Sequence, residues 1–188
     1  NLVRDQWQTI TFQELFQQHY QIELPEHFRI GEFVPLAQKA GIAGCDAYQN
    51  NPGLLLSELL DKAVKKIGFE APVLIKKWPS SMTTSAELSS ANRNWTTRTE
   101  IIIAGIEIAD GFPFLCDYAV QKAQFERANA LRHSEKLPLV ALDQSYLEMM
   151  HEGLPQGAGM ALGIDRLCML FTNSTNISDV LCFSWDEL

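Results

Sequence analysis

The chain has 188 residues, a length that suits one domain with its own hydrophobic core. Hydrophobic residues make up 46% of it and charged residues 20%, which excludes a disordered or collagen-like chain. No apolar run approaches the roughly 18 residues of a membrane-spanning helix. The formal net charge is -8, from 15 basic and 23 acidic residues, which argues against non-specific binding of nucleic acid.

The four cysteines indicate a reducing compartment. Cys45, Cys116, Cys168 and Cys182 form no CxxC pair and have no zinc-like spacing with histidine. We interpret them as reduced, partly buried thiols and expect a cytoplasmic protein. The chain starts at Asn1 with neither the basic nor the apolar region of a signal peptide. We therefore expect it to be a piece of a longer product.

The first part of the chain has the pattern of short helices. Residues 11–20 carry apolar side chains at helical spacing, with Thr9 or Thr11 as the N-cap. A second short helix is predicted over residues 33–40. We interpret residues 1–50 as a peripheral helical segment.

The core region is predicted to cover residues 51–188, and it opens with a strong helix signal. Asn51 caps this helix, Pro52 takes its first position, and Gly68 stops it. A short apolar strand follows at 73–75.

The rest of the core region mixes strands and helices. Two β-rich runs, 100–103 and 106–109, flank Ala104-Gly105 and predict a hairpin. Two helices capped by aspartate are predicted at 117–133, with Phe125 and Leu131 facing inward, and at 143–151. A glycine-rich strand, a helix from Ile164 and a final strand at 180–183 complete an α+β fold with a mostly antiparallel sheet.

Glu100 and Glu107 form the first candidate site. If the hairpin turns at Ala104-Gly105, Ile102 opposes Glu107, and the two glutamates become diagonal neighbours on one face. Two carboxylates so close repel each other unless they are protonated or bridged by a cation, and Mg²⁺ carrying a nucleotide's phosphates suits them. The alternative is a pair of solvent-exposed glutamates on an outer sheet face.

The glycine-rich segment GLPQGAGMALGIDRL is the second candidate site. Gly157, Gly159 and Gly163 keep the strand slim, so that a flat ring or a backbone can approach it. The start of the next helix favours anions, and Arg166 adds a planar cation that can stack on a base or pair with phosphate. The alternative is tight packing with Asp165 and Arg166 as a surface pair.

Together these segments resemble the catalytic domain of class II aminoacyl-tRNA synthetases of the lysine, aspartate and asparagine group. GMALGIDRL resembles the family's motif 3, and EIIIAGIEIADGF resembles the preceding stretch, which carries two metal- and ATP-binding glutamates. PVLIKKWPSS resembles the strand that leads to an aromatic-proline step. The resemblance covers residues 50–188. It implies a partial class II catalytic-domain fold, with a mixed, largely antiparallel sheet flanked by helices.

Within the family, the chain is most similar to the lysyl-tRNA synthetase paralogue that modifies elongation factor P with β-lysine. Ala161 stands where lysyl-tRNA synthetases have glycine, and SDVLCFSWDEL and TITFQELFQQHYQIE resemble segments of the paralogue. The resemblance implies ATP-dependent activation of lysine or β-lysine and transfer to a lysine of elongation factor P, by a full-length protein that is a homodimer. We expect no membrane partner. The alternatives are a lysyl-tRNA synthetase, with tRNA as the acceptor, and a synthetase-like module that binds without catalysis.

The resemblance also implies roles for individual residues. Glu107, the backbone of Ile108 and Gly163 would bind ATP, and Glu100 and Glu107 would share Mg²⁺. Arg166 would hold the adenine or the γ-phosphate and act as the catalytic cation. The amino acid's carboxylate then attacks the α-phosphorus, so no side-chain nucleophile is required.

The segment implied to bind the amino acid departs from the family's Glu-x-x-Asn-Gly-Phe-x-Glu pattern. The residues implied to bind the amino acid are Asp110, Phe112, Phe114 and Ala161. Asp110 replaces the asparagine, and Phe114 replaces the second glutamate, which pairs with the substrate's ammonium in the lysine enzymes. A phenyl ring cannot compensate the lost hydration of an ammonium. Either Asp110 or Asp117 takes over, or the substrate is not lysine-like.

Two further segments of the family have no counterpart in this sequence. They are motif 1, which builds the dimer interface, and motif 2, whose arginine binds the α-phosphate. We therefore expect this chain alone to lack a complete ATP site and to activate amino acids poorly or not at all.

Overall fold

The computed structural model describes residues 6–83 and 85–184, and its centre is one five-stranded sheet. The strands follow one another in the sheet in chain order. They are β1 (Gln8–Thr11), β2 (Val73–Lys76), β3 (Thr99–Ile103), β4 (Ile106–Pro113) and β5 (Ala158–Leu162). β1 runs parallel to β2, and every other neighbouring pair is antiparallel. The predicted α+β class with a largely antiparallel sheet is confirmed.

Six α-helices lie among the described residues. Five of them begin and end within a few residues of their predicted bounds, and the last begins at the predicted Ile164. They are α1 (Phe12–Tyr20), α2 (Phe33–Lys39), α3 (Pro52–Val64), α4 (Tyr118–Ser134), α5 (Gln144–Glu152) and α6 (Ile164–Thr172). In the described part of the chain, none of these helices has the length and apolar character needed to cross a bilayer.

Side-chain caps explain why the helices begin where they do. Thr11, not Thr9, caps α1: its hydroxyl accepts the amide of Glu14, and the Glu14 carboxylate accepts the amide of Thr11. Asn51, Asp117 and Asp143 each accept an amide from the first turn of the helix that follows.

The first part of the chain is more central than the predicted peripheral helical segment. β1 adds a strand to the sheet, and the core contains Phe12, Phe16 and Phe33, which are fully buried. The ring of Phe12 lies 4.8 Å from that of Phe16 and 5.1 Å from that of Trp78, between centroids. β1 has only four residues, too few for the period-two pattern to stand out in the sequence.

Two further expectations are wrong. Residues 180–183 do not form a strand, because the amides of Val180 and Leu181 bond back to the carbonyl of Ile177 and are lost to any ladder. Leu131 does not face inward and is 59% exposed, whereas Gln121 and Gln124 are the buried residues of α4.

The cysteines are confirmed as free thiols, and two of them are more exposed than expected. Cys45 is buried, Cys116 is half-buried, and Cys168 and Cys182 are exposed.

Candidate active site

The β3–β4 hairpin has the predicted register at its turn and a bulge just beyond it. Ala104 and Gly105 both have positive φ, as a tight hairpin turn requires, and Ile102 pairs with Glu107. The next pair is Ile101 with Ala109, so Ile108 is an extra residue. An extra residue reverses the alternation of side chains. It therefore places the side chain of Glu107 on the same face of the sheet as the side chain three positions further along β4.

That shared face carries most of the predicted site residues. Glu100 on β3 pairs with Asp110 on β4, and Asp110 pairs in turn with Ala161 on β5. Phe112 lies two residues beyond Asp110 and pairs with Gly159. Since paired residues point to the same side of a sheet, these side chains form one continuous surface.

Glu100 and Glu107 line one cavity, as predicted from the hairpin. The cavity has a volume of about 380 Å³ and lies between the hairpin and α3. Arg166 also lines it, and the opposite wall includes Leu60 of α3 and Lys65, which directly follows that helix. Glu100 is 6% exposed, so the alternative of two solvent-exposed glutamates does not describe it.

Arg98 is a site residue that the sequence analysis missed. Its Nη2 donates to Glu100 Oε1 at 2.5 Å, and its Nε donates to Asp110 Oδ1 at 2.8 Å. Its Nη2 also lies 3.2 Å from Asp110 Oδ2. Arg98 is two residues before Glu100 on an extended chain, and this spacing could have suggested that both lie on one face.

Burial raises the pKa of Glu100 to about 8. Loss of hydration is the largest cause; the Arg98 guanidinium opposes it, and the carboxylates of Glu107 and Asp110 add to it. The close contact with Arg98 alone would predict a lowered pKa. The raised value is the better description, because one guanidinium is shared between two carboxylates and a third lies close by. A second cation at this cavity would favour the ionised form.

Arg166 connects α6 to the edge of the hairpin. Its Nη1 donates to the backbone oxygen of Glu107 at 2.8 Å and lies 3.2 Å from Glu107 Oε2. Gly163 is the N-cap of α6, and its amide donates to the oxygen of Ile108 at 2.9 Å. A Cβ at Gly163 would lie 3.3 Å from Arg166 Cδ. The glycine therefore leaves room for the arginine to reach Glu107.

Phe114 is the flat ring that approaches the glycine-rich strand. A Cβ at Gly159 would lie 2.9 Å from the Cζ of Phe114, and a Cβ at Gly157 would lie 3.4 Å from its Cδ2. Phe112 contacts the same ring edge-on, with 6.3 Å between centroids. Two aromatic rings thus end the face on which Asp110 and Ala161 lie.

The carboxylates that line the cavity suit a metal ion whose other ligands are supplied by a substrate. In residues 6–83 and 85–184, no group of three or more His, Cys, Asp or Glu side chains is arranged to bind a metal ion. Two carboxylates suit Mg²⁺, which is commonly bound by one or two of them together with substrate phosphates. Glu100 and Glu107 each use one oxygen in their arginine contact.

The comparison with known families agrees with this fold and this site. The family of class II tRNA synthetases for D, K and N matches residues 2–187, and the chain belongs to this family.

Among curated proteins, the chain is similar to enzymes named elongation factor P–(R)-beta-lysine ligase. It is 32% identical to the one from Erwinia tasmaniensis over 96% of this chain and 55% of that protein. It is 32% identical to the one from Pectobacterium carotovorum over 93% and 54%. It is 34% identical to the one from Haemophilus ducreyi over 94% and 53%. The chain thus spans about half the length of these relatives, and the predicted resemblance to class II synthetases and this paralogue is confirmed.

Proposed function

We propose that this chain carries the nucleotide- and metal-binding face of a ligase that activates an amino acid with ATP. The observation that supports it best is the meeting of Glu100, Glu107 and Arg166 at one cavity. Two carboxylates and a guanidinium in this arrangement suit a metal–triphosphate complex. The names of the relatives support a ligase rather than a module that binds without catalysis.

In the proposed reaction, a carboxylate oxygen of the amino acid forms a bond to the α-phosphorus of ATP, and the bond to pyrophosphate breaks. Glu107, the Ile108 backbone and Gly163 bind the nucleotide, and Arg166 neutralises charge on its phosphates. Glu100 and Glu107 would hold Mg²⁺, which supplies further charge neutralisation when it is bound. No side-chain nucleophile is needed, because the attacking oxygen belongs to the substrate.

The acceptor that we propose is a lysine of elongation factor P, since the relatives are named for that protein. The lysine amine attacks the carbonyl carbon of the aminoacyl adenylate, and AMP leaves. tRNA is the alternative acceptor, and the family match supports it. We also propose that the enzyme acts in the cytoplasm as a homodimer.

The site is tested with Glu107→Gln in the natural gene product that contains this chain. The measurement is ATP–pyrophosphate exchange as a function of Mg²⁺ concentration. We expect the exchange rate to fall by about 100-fold, because the variant loses one charged ligand of the metal–nucleotide complex. Glu126→Gln is the matched control, since Glu126 lies on α4 in an exposed pair with Lys122. Unchanged exchange in Glu107→Gln would refute the metal assignment.

The acceptor is tested separately, with a labelled amino acid. Label should appear on elongation factor P in the presence of ATP and not on tRNA. Labelling of tRNA alone would favour the tRNA synthetase alternative. Absence of exchange and of transfer with every amino acid tested would leave the non-catalytic module as the function.

A further inference from the structure

Every carboxylate on the face formed by β3, β4 and β5 already has a cationic partner within the chain. Arg98 contacts both oxygens of Asp110 and one oxygen of Glu100. Arg166 contacts the carboxylate of Glu107. A substrate ammonium would therefore compete with a guanidinium for each of these carboxylates. The guanidinium belongs to the same chain, so it loses no translational freedom when it pairs.

The next carboxylate along the chain is also engaged. Asp117 is the N-cap of α4, and its Oδ1 accepts the amide of Val120 at 3.0 Å. A side chain in this role stabilises the first turn of its helix and is fixed in direction by it. Both oxygens of Asp110 are thus occupied by Arg98, and Asp117 is held at the start of α4 with one of its two oxygens occupied.

The end of the face near β5 is aromatic. The ring of Phe114 covers Gly157 and Gly159, and Phe112 packs against that ring. A cation over an exposed phenyl ring gains only a small free energy. The loss of hydration when an ammonium is buried costs more free energy than this contact contributes. Apolar side chains, by contrast, gain free energy when they are buried against these rings.

We infer that the amino acid bound at this face has an uncharged, apolar side chain, unlike the (R)-β-lysine for which the relatives are named. This inference rests on the proposed function, because it concerns the amino acid that the same site activates. The engagement of Asp110 by Arg98 and the ring of Phe114 over Gly157 and Gly159 determine the selectivity.

The inference is tested by ATP–pyrophosphate exchange on the natural gene product, with each amino acid supplied separately. Leucine, methionine and phenylalanine represent the apolar class, and lysine and (R)-β-lysine represent the cationic class. We expect the best apolar amino acid to exceed both cationic ones by at least about tenfold in kcat/KM, because a buried unpaired polar group discriminates strongly. Faster exchange with lysine or (R)-β-lysine would overturn the inference and leave the proposed function intact. Exchange with neither class would overturn the inference, and silence with all the other standard amino acids as well would overturn the proposed function.

A double variant tests which residues set the selectivity. Phe114→Glu combined with Asp110→Asn supplies a carboxylate at the ring position and removes the one that Arg98 binds. We expect the ratio of lysine to leucine exchange to rise by at least about tenfold. Phe69→Glu is the matched control, since Phe69 is an exposed phenylalanine outside this face, and it should leave the ratio unchanged.

Exchange that persists in the double variant with an unchanged ratio would refute the role of Phe114 and Asp110. If the double variant does not fold, as judged by circular dichroism, the comparison of amino acids on the unmodified protein decides the inference.

Discussion

The guanidinium of Arg98 lies over the indole ring of Trp78, with 4.4 Å between its central carbon and the ring centroid. Trp78 is 1% exposed, and its Nε1 donates to the oxygen of Ile75 at 3.0 Å. The hydrophobic core thus fixes the indole, the indole supports the arginine, and the arginine orients Glu100 and Asp110. Packing in the core therefore reaches the candidate active site through this cation–π contact.

Removal of the Arg98 charge should destabilise the fold. Arg98→Met leaves Glu100 and Asp110 without their shared partner, and the side chain of Glu100 is only 8% exposed. We expect the free energy of unfolding to fall by about 2 kcal/mol at pH 7, as measured by urea denaturation, because the hydrogen bonds of Arg98 to both groups are lost. Lys65→Met is the matched control, because it removes an exposed ion pair with Asp61 and should cost at most about 0.5 kcal/mol. Equal losses in the two variants would contradict a structural role for Arg98.

The face of the sheet that carries Glu100, Glu107 and Asp110 could be predicted only in part. Ala104-Gly105 identified the turn, and the turn determines that Ile102 opposes Glu107. The bulge at Ile108 left no such signal, because its residue type is ordinary in a strand and the irregularity arises from the ladder with β3. The predicted proximity of Glu100 and Glu107 is confirmed, but the pairing of Glu100 with Asp110 could not be derived without the bulge.

In two segments the apolar pattern alone did not determine the structure. The apolar residues at 180–183 predict a strand, yet hydrogen bonds to the oxygen of Ile177 form a turn there. Leu131 has helical spacing with inward residues, yet α4 buries glutamines. The roles predicted for the site residues remain predictions until they are tested in the enzyme.

Two glycines on opposite faces of the sheet should respond differently to alanine. A Cβ at Gly159 would meet the far end of the Phe114 ring, which can rotate away. A Cβ at Gly111 would lie 2.9 Å from Met160 Cβ and 3.0 Å from the backbone oxygen of Gly159. We expect Gly111→Ala to lower the free energy of unfolding by about 1–3 kcal/mol and Gly159→Ala by clearly less. Thermal unfolding of the two variants, side by side, measures this, and a larger loss for Gly159→Ala would show that the Phe114 ring is fixed.

The raised pKa of Glu100 should make stability depend on pH in a specific window. The folded chain keeps a proton on Glu100 up to about pH 8, whereas the unfolded chain releases it near the ordinary value of 4.5. The folded state binds more protons between these values, so the free energy of unfolding falls as pH rises through them.

Glu100→Gln stays neutral and should remove this contribution. The measurement is urea denaturation of both proteins with EDTA at pH 5, 6.5 and 8. The free energy of unfolding of the variant, minus that of the parent, should increase as pH rises. A constant difference would indicate that Glu100 titrates normally.

The capping box of α1 should contribute measurably to stability. Thr11→Ala removes the hydroxyl that accepts the Glu14 amide, and we expect a loss of about 1 kcal/mol in the free energy of unfolding. Thr9→Ala, two residues earlier at an exposed position of β1, should change it by at most about 0.5 kcal/mol. Guanidinium denaturation monitored by circular dichroism distinguishes them, and equal effects would place the cap elsewhere.

β5 lies at the outer edge of the described sheet, and all five of its residues are exposed, with Met160 and Leu162 about half accessible. Such an edge combines free backbone donors and acceptors with apolar side chains, which is the template for pairing between molecules. The mean molecular mass of this chain, measured by light scattering, should therefore rise with protein concentration and fall after Leu162→Lys. One strand of the candidate site thus contributes to the colloidal behaviour of the purified polypeptide, whether or not its catalytic chemistry is intact.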